Sequence, residues 1–295
     1  MFFGKFIFDS KYVLILALLA GIALPALEGI EKLLMPCLII LLTISLKDIN
    51  FDKLYKKDYE EILSLFILNY VFVTIFYIIM TKMFISPEFQ NALLVYAIMP
   101  VAVGTIAFTE LFKGNTKIAF LAVFVSYLAG LFLIPLLASF LFGEMVSTME
   151  LLSIIFFIII IPFLISRVLH FLEDYYNKKP EKAYRVLFNF SLAFLFYIIL
   201  STNKHFLFSN LRETIDLFIL LLIMKIGLVL LLYFMFKKFV KRKNLVVILT
   251  FASMKNTSVA VAITIMLFGI EAAAPFAVNA LTFPLHLFVL QWLLK

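Results

Sequence analysis

The 295-residue sequence is poor in cysteine, histidine, tryptophan and charge: one Cys, three His, one Trp and only 15% Asp, Glu, Lys and Arg. A single thiol, Cys37, excludes an intrachain disulfide and any multi-cysteine metal site, and it is read as helix packing. His-Glu-x-x-His, Gly-x-Ser-x-Gly and Walker patterns are missing, as are aspartates paired at metal spacing. No catalytic residue, metal or cofactor is therefore expected. A soluble domain carries about 25% charged and about 45–50% apolar residues, and this chain departs from both.

What is present is 65% hydrophobic residue, 36 Phe among them, and a mean hydropathy of +1.13. Runs such as Leu151 to Ile165 and Leu217 to Phe236 approach the roughly 20 helical residues needed to cross a hydrocarbon core of about 30 Å. They lack the apolar/polar alternation of an outer-membrane barrel. The class is all-α integral membrane. Lys5 and Lys11 before an apolar run resemble a secretory signal, but the run from Tyr12 to Leu27 contains Pro25 and flows into another apolar segment, so it reads as a retained helix.

Charge clusters, Pro and Gly divide the chain into ten expected spans: 12–27, 31–46, 60–83, 90–112, 117–143, 148–170, 183–202, 213–236, 244–269 and 272–294. An even number puts both termini on one side. With that side cytoplasmic, nineteen of the 25 Lys and Arg lie inside, only Lys32, Lys82, Lys204 and Arg212 lie outside, and Lys225 and Lys255 fall within spans. That asymmetry is the positive-inside pattern, and it implies a multi-pass protein of a plasma or inner membrane. The net charge of +7 is then accounted for by short loops near anionic lipid headgroups, so no nucleic-acid partner is expected.

Two stretches 155 residues apart repeat one another. Ala97, Met99, Ala107, Thr109 and Gly114 superpose on Ala252, Met254, Ala262, Thr264 and Gly269. Five spans per half is an odd number, so residues 148–295 would sit inverted relative to 1–147. A broken or polar segment recurring in corresponding positions of two inverted halves points to a transporter's binding region.

Within span 4, Pro100 removes a backbone donor and clashes one turn back, and Gly104, Thr105 and Thr109 follow. Span 9 places Ser253, Lys255, Asn256, Thr257 and Ser258 within six residues, beside Met254. Irregular backbone at membrane depth survives only where it is buried in protein or lines a cavity; a plain proline kink is the simpler reading of span 4 alone. A central lysine costs about 2.5–3.5 kcal/mol on insertion scales and marks an interior face. Lys255 and the similarly deep Lys225 on span 8 are each read either as site residues or as ammonium groups tied to carbonyls. Glu110 is the one acidic residue in the repeat, functional or merely reaching the interface near Lys113. Asn69 on span 3 and His286 on span 10 are ligands or helix-to-helix hydrogen bonds.

Ten spans, Leu46-Lys47-Asp48 after span 2, a Pro-broken span 4 ending Lys113-Gly114-Asn115, Met254-Lys255-Asn256 in span 9 and His286 in span 10 together resemble the bile acid:sodium symporter family. The resemblance spans essentially the whole chain. It implies a core domain from about 60–143 and 213–294, in which discontinuous helices 4 and 9 cross at unwound centres, and a panel domain from about 12–46 and 148–202. It further implies alternating-access transport of small organic anions.

The family's sodium ligands are largely replaced. The span 4 Ser-Asn is Thr105-Ile106, the span 5 hydroxyls are Ala119 and Val123, and the span 9 Glu-x-Gly-Met-Gln-Asn is Phe251-Ala252-Ser253-Met254-Lys255-Asn256. Only Asn69, in place of a span 3 Gln, keeps an amide oxygen. No bound sodium is therefore expected; the Lys255 ammonium would stand in for the ion, bonded to span 9 carbonyls and Asn69. In a variant of this reading Lys255 exchanges a proton, with Glu110 as its counterpart. The auxin efflux carriers, which share a Met-Pro-x-x-Val element like Met99 to Val103, are the nearest alternative. A membrane-embedded enzyme is remote, a channel is separable by saturable flux, and a receptor would need a signalling domain that the sequence lacks.

Overall fold

A computed structural model describes residues 10–47, 56–143, 147–177, 180–209 and 211–295. Asp48 and the basic residues Lys5, Lys53, Lys178 and Lys179 lie outside them. The regular structure of the described residues is helical, apart from one isolated β-bridge. In chain order the helices are α1 Ser10–Ala23, α2 Leu34–Leu46, α3 Lys56–Ile67, α4 Thr74–Phe84, α5 Pro87–Ile98, α6 Gly104–Leu111 and α7 Thr116–Phe142. There follow α8 Thr148–Ile155, α9 Ile161–Tyr176, α10 Glu181–Ser209, α11 Leu211–Phe236, α12 Arg242–Ser253, α13 Thr257–Phe268 and α14 Ala274–Leu293. Wide π-turns at Leu68–Val73 and Phe156–Ile160 join α3 to α4 and α8 to α9 without a break.

Among the described residues, six continuous stretches are long and apolar enough to cross a membrane, and α13 and the body of α5 are shorter apolar helices. Outward faces carry large apolar side chains such as Phe132, Leu136 and Phe140, which is the normal surface of a protein solvated by lipid. Inside, α10 packs along α1 and α2, α11 along α14 and α12, and α3 along α7. Among the short helices, α5 packs on α13 and α6 on α12.

Several boundaries differ from expectation. Helix α1 ends at Ala23 rather than continuing to residue 27, because Pro25 follows and its carbonyl is held by the Tyr197 hydroxyl at 2.7 Å. Helix α10 runs on to Ser209, past the polar Ser201, Thr202 and Asn203, because these side chains bond back to the carbonyls of Ile198 and Ile199 instead of breaking the helix. Helix α9 likewise extends to Tyr176, since Glu173 is buried in an ion pair with Lys47 at 3.3 Å. The two repeated glycines serve different ends. At Gly114 a Cβ would stand 2.6 Å from Val246, so glycine lets α12 approach, whereas Gly269 adopts φ +87°, a left-handed conformation.

Candidate functional site

The two broken helices meet at their breaks. Helix α5 stops at Ile98 because Pro100 cannot continue it, and the chain runs extended through Met99 before α6 begins at Gly104. Helix α12 stops at Ser253, and α13 restarts at Thr257 under an Asn256 cap whose Oδ1 accepts the Val259 N–H at 2.9 Å. The two gaps pair as an antiparallel bridge between Val101 and Lys255. Ala102 N–H donates to the Met254 carbonyl at 2.7 Å, and Asn256 N–H donates to the Pro100 carbonyl at 2.9 Å. Each break thus satisfies backbone groups that the other leaves open, the requirement for irregular chain within a bilayer.

Lys255 is 2% exposed. Its Nζ donates to the Met99 carbonyl at 3.0 Å, the Thr74 hydroxyl at 3.1 Å and the Asn69 carbonyl at 3.3 Å, and it lies 5.4 Å from the centre of the Tyr70 ring. Three N–H donors meet three neutral oxygens, so the ammonium is saturated. Asn69 is a partner as expected, and the others differ. None is a span 9 carbonyl; Asn69 contributes its backbone oxygen, while both polar atoms of its side chain are buried without a hydrogen bond among the described residues. The wide turn at Leu68–Val73 explains this, because i→i+5 bonding turns the Asn69 carbonyl toward Thr74, whose N–H and hydroxyl both reach it. Thr74 was not singled out from the sequence; a hydroxyl five residues after Asn69 carries no recognisable motif.

The remaining candidate residues separate into groups. Ser253, Met254, Asn256, Thr257, Lys225 and His286 line, with Lys255, a cavity of about 1140 Å³. Asn256 also donates to the Tyr127 hydroxyl, a second partner without a sequence signal. Thr109 bonds Thr250 at 2.9 Å and ties α6 to α12. Thr105 is buried with no partner for its hydroxyl among the described residues. Pro100 and Asn69 lie behind the crossing, outside the cavity lining. Glu110 is exposed on α6 and is neither in the cavity lining nor among the hydrogen-bond partners of Lys255.

The cavity runs from the crossing to the end of the bundle that carries Lys113, Arg242 and Lys295. One wall is α2 and α10, with Leu38, Leu42, Phe188 and Phe196; the other comprises α6, α11, α14 and the crossing. Five basic residues line it and, among the described residues, no acidic one. The N-termini of α6 and α13 also open on it, at Gly104 and at Thr257 and Ser258, and their partial positive charge favours anions. Ala119, Val123 and Phe251 present buried hydrocarbon side chains, and the Lys255 ammonium takes the Met99 and Asn69 carbonyls.

Among known proteins, the family model described as the SBF-like CPA transporter family matches residues 44–294. No curated protein matches the chain.

Proposed function

The chain belongs to the SBF-like CPA transporter family, and on that premise we propose that this membrane transporter carries small organic anions by alternating access and without sodium. The observation that carries the reading is the cavity: it ends on the crossing of two broken helices, and every charged residue in its lining is basic. An apolar wall with few, convergent polar groups is the usual form of a small-molecule site, and the sign of those groups selects an anion.

The helical stretches are read as ten spans in two inverted five-helix repeats, residues 1–147 and 148–295, in a plasma or inner membrane with both termini cytoplasmic. The cavity separates α2 and α10 from the crossing helices, which supports treating 12–46 with 148–202 as a panel and 60–143 with 213–294 as a core. Movement of one against the other would expose the crossing alternately to each side.

Sodium independence rests on Lys255. A tethered ammonium bonded to two carbonyls and a hydroxyl supplies, at the place where the helices cross, the positive charge that a bound cation would otherwise supply. The proton-exchange variant loses its acidic partner with Glu110 exposed elsewhere, and the fixed-cation reading is preferred. The test is uptake of an organic-anion panel into proteoliposomes under imposed sodium or pH gradients. Saturable uptake indifferent to both is expected, and stimulation by inward sodium would overturn the sodium-free part.

A further inference from the structure

We propose that the carboxylate of the transported anion is bound not by Lys255 but by a separate subsite of Lys225 on α11 and His286 on α14. This rests on the reading of the cavity as the anion pathway and assigns, within it, the residues that hold the charge. Lys255 spends all three N–H bonds on Met99, Thr74 and Asn69, so binding a substrate oxygen would break one of the bonds at the crossing. Lys225 is placed differently. Its Nζ bonds the Thr282 hydroxyl at 2.9 Å and only distantly the Asn279 carbonyl at 3.4 Å, leaving a donor in hand.

His286 supplies the second observation. It is 1% exposed, it lines the same cavity, and neither ring nitrogen has a hydrogen-bond partner among the described residues. A buried polar ring with two open nitrogens calls for a ligand or water to complete it. Asn279, Thr282, Phe283 and His286 follow the i, i+3, i+4, i+7 pattern of one helix face, which aims the polar groups of α14 at Lys225. A carboxylate offers two acceptor oxygens, one for the ammonium and one for an imidazole N–H, as charge-assisted hydrogen bonds. The Phe283 and Phe108 rings, packed edge to face at 5.7 Å, border the same cavity and provide an apolar wall for the body of the anion.

The experiment uses the full-length protein purified in detergent, titrated with the potassium salts of butyrate, benzoate and 2-naphthoate, each paired with its neutral amide. At least one carboxylate is expected to bind, with its amide binding about tenfold or more weakly. Lys225→Met and His286→Leu should each weaken carboxylate binding about tenfold or more, and His286→Gln, which keeps a donor and an acceptor, should restore part of it. Should Lys225→Met fail to fold, the two His286 variants carry the test. Unchanged carboxylate affinity in folded His286→Leu, equal binding of acid and amide, or no binding of any of the three salts to the unmodified protein would overturn the subsite. Organic-anion uptake into proteoliposomes, measured in parallel, separates the two ideas: flux that persists in His286→Leu at unaltered KM removes the subsite and leaves the carrier, whereas absence of any anion flux removes the carrier.

Discussion

Replacing Lys255 by Met keeps an unbranched apolar stem one atom shorter and deletes the charge. Three bonds are lost, at 3.0, 3.1 and 3.3 Å, each worth about 1.5–3 kcal/mol as a hydrogen bond to a charged group. Against this stands the desolvation of a buried ammonium, about several kcal/mol, which the variant no longer bears. The two nearly cancel, so the outcome turns on the oxygens left behind. The Asn69 carbonyl keeps the Thr74 N–H, and the Thr74 hydroxyl still donates to the Asn69 or Ala97 carbonyl, both at 3.0 Å. Loss of the Met99 acceptor's ammonium partner is the uncompensated change, costing about 1–3 kcal/mol. The variant should unfold several degrees below the unmodified protein in a thermal scan in detergent, while the backbone bonds of Ala102 and Asn256 still close the crossing. Sodium should not repair it, because two carbonyls and one hydroxyl are too few oxygens for that ion. A Lys255→Met protein as stable as the unmodified one, or one restored by sodium over potassium at equal ionic strength, would refute the account of Lys255 as a cation tied into the crossing.

Four further outcomes are expected. Phe251→Glu combined with Lys255→Gln should return a carboxylate and an amide to the crossing, and a melting temperature higher in sodium than in choline would register it. Asn256→Ala removes both the cap on α13 and the bond to Tyr127, and it should cost about 1–3 kcal/mol, visible as a lower thermal midpoint. Gly114→Ala would bring a methyl to 2.6 Å from Val246 and 2.7 Å from Thr109; about 1–3 kcal/mol of overpacking should appear as reduced yield of folded protein, whereas Gly227→Ala, with open space, should be tolerated. An inside-negative potassium diffusion potential should slow uptake of a monovalent organic anion into proteoliposomes, and acceleration by that potential would show that a cation travels with it.

Membership of a helical membrane family was legible because hydropathy and motif layout extend over most of the chain. So was the position of both breaks: Pro100 ends α5 by covalent chemistry, and the cluster around Lys255 could not sit in lipid. Asn69 was legible as a partner of Lys255, but the use of its backbone carbonyl and of Thr74 was not. Both come from a local change in helical hydrogen bonding at Leu68–Val73, where Val, Phe and Tyr residues give no warning that the turn widens. The same limit hid Tyr127 and Thr250, whose contacts are made between helices far apart in sequence. Glu110 is a different case. Its place in the repeated segment was suggestive, but helical phase turns it to the outside of α6, and only the three-dimensional arrangement fixes that phase.

On the proposed reading, exchanging a mobile ion for a tethered one changes the energetics of transport, not only the chemistry of the crossing. An ion that binds and leaves brings its own gradient into the cycle. Lys255 returns with the protein after every turnover, so it contributes no gradient, and the net charge moved equals that of the substrate alone. For a monovalent anion, an inside-negative potential then opposes entry by about 2.3 kcal/mol per 100 mV, which is roughly a fiftyfold bias in the equilibrium ratio. A carrier of this kind, with no cation gradient to draw on, is suited to releasing anions or exchanging one for another. The same ammonium that satisfies the Met99, Thr74 and Asn69 oxygens holds the crossing together without waiting for an ion to arrive. On that reading Lys255 takes part both in the stability of the crossing and in the loss of ion coupling, the latter shared with the hydrocarbon side chains of Ala119, Val123 and Phe251.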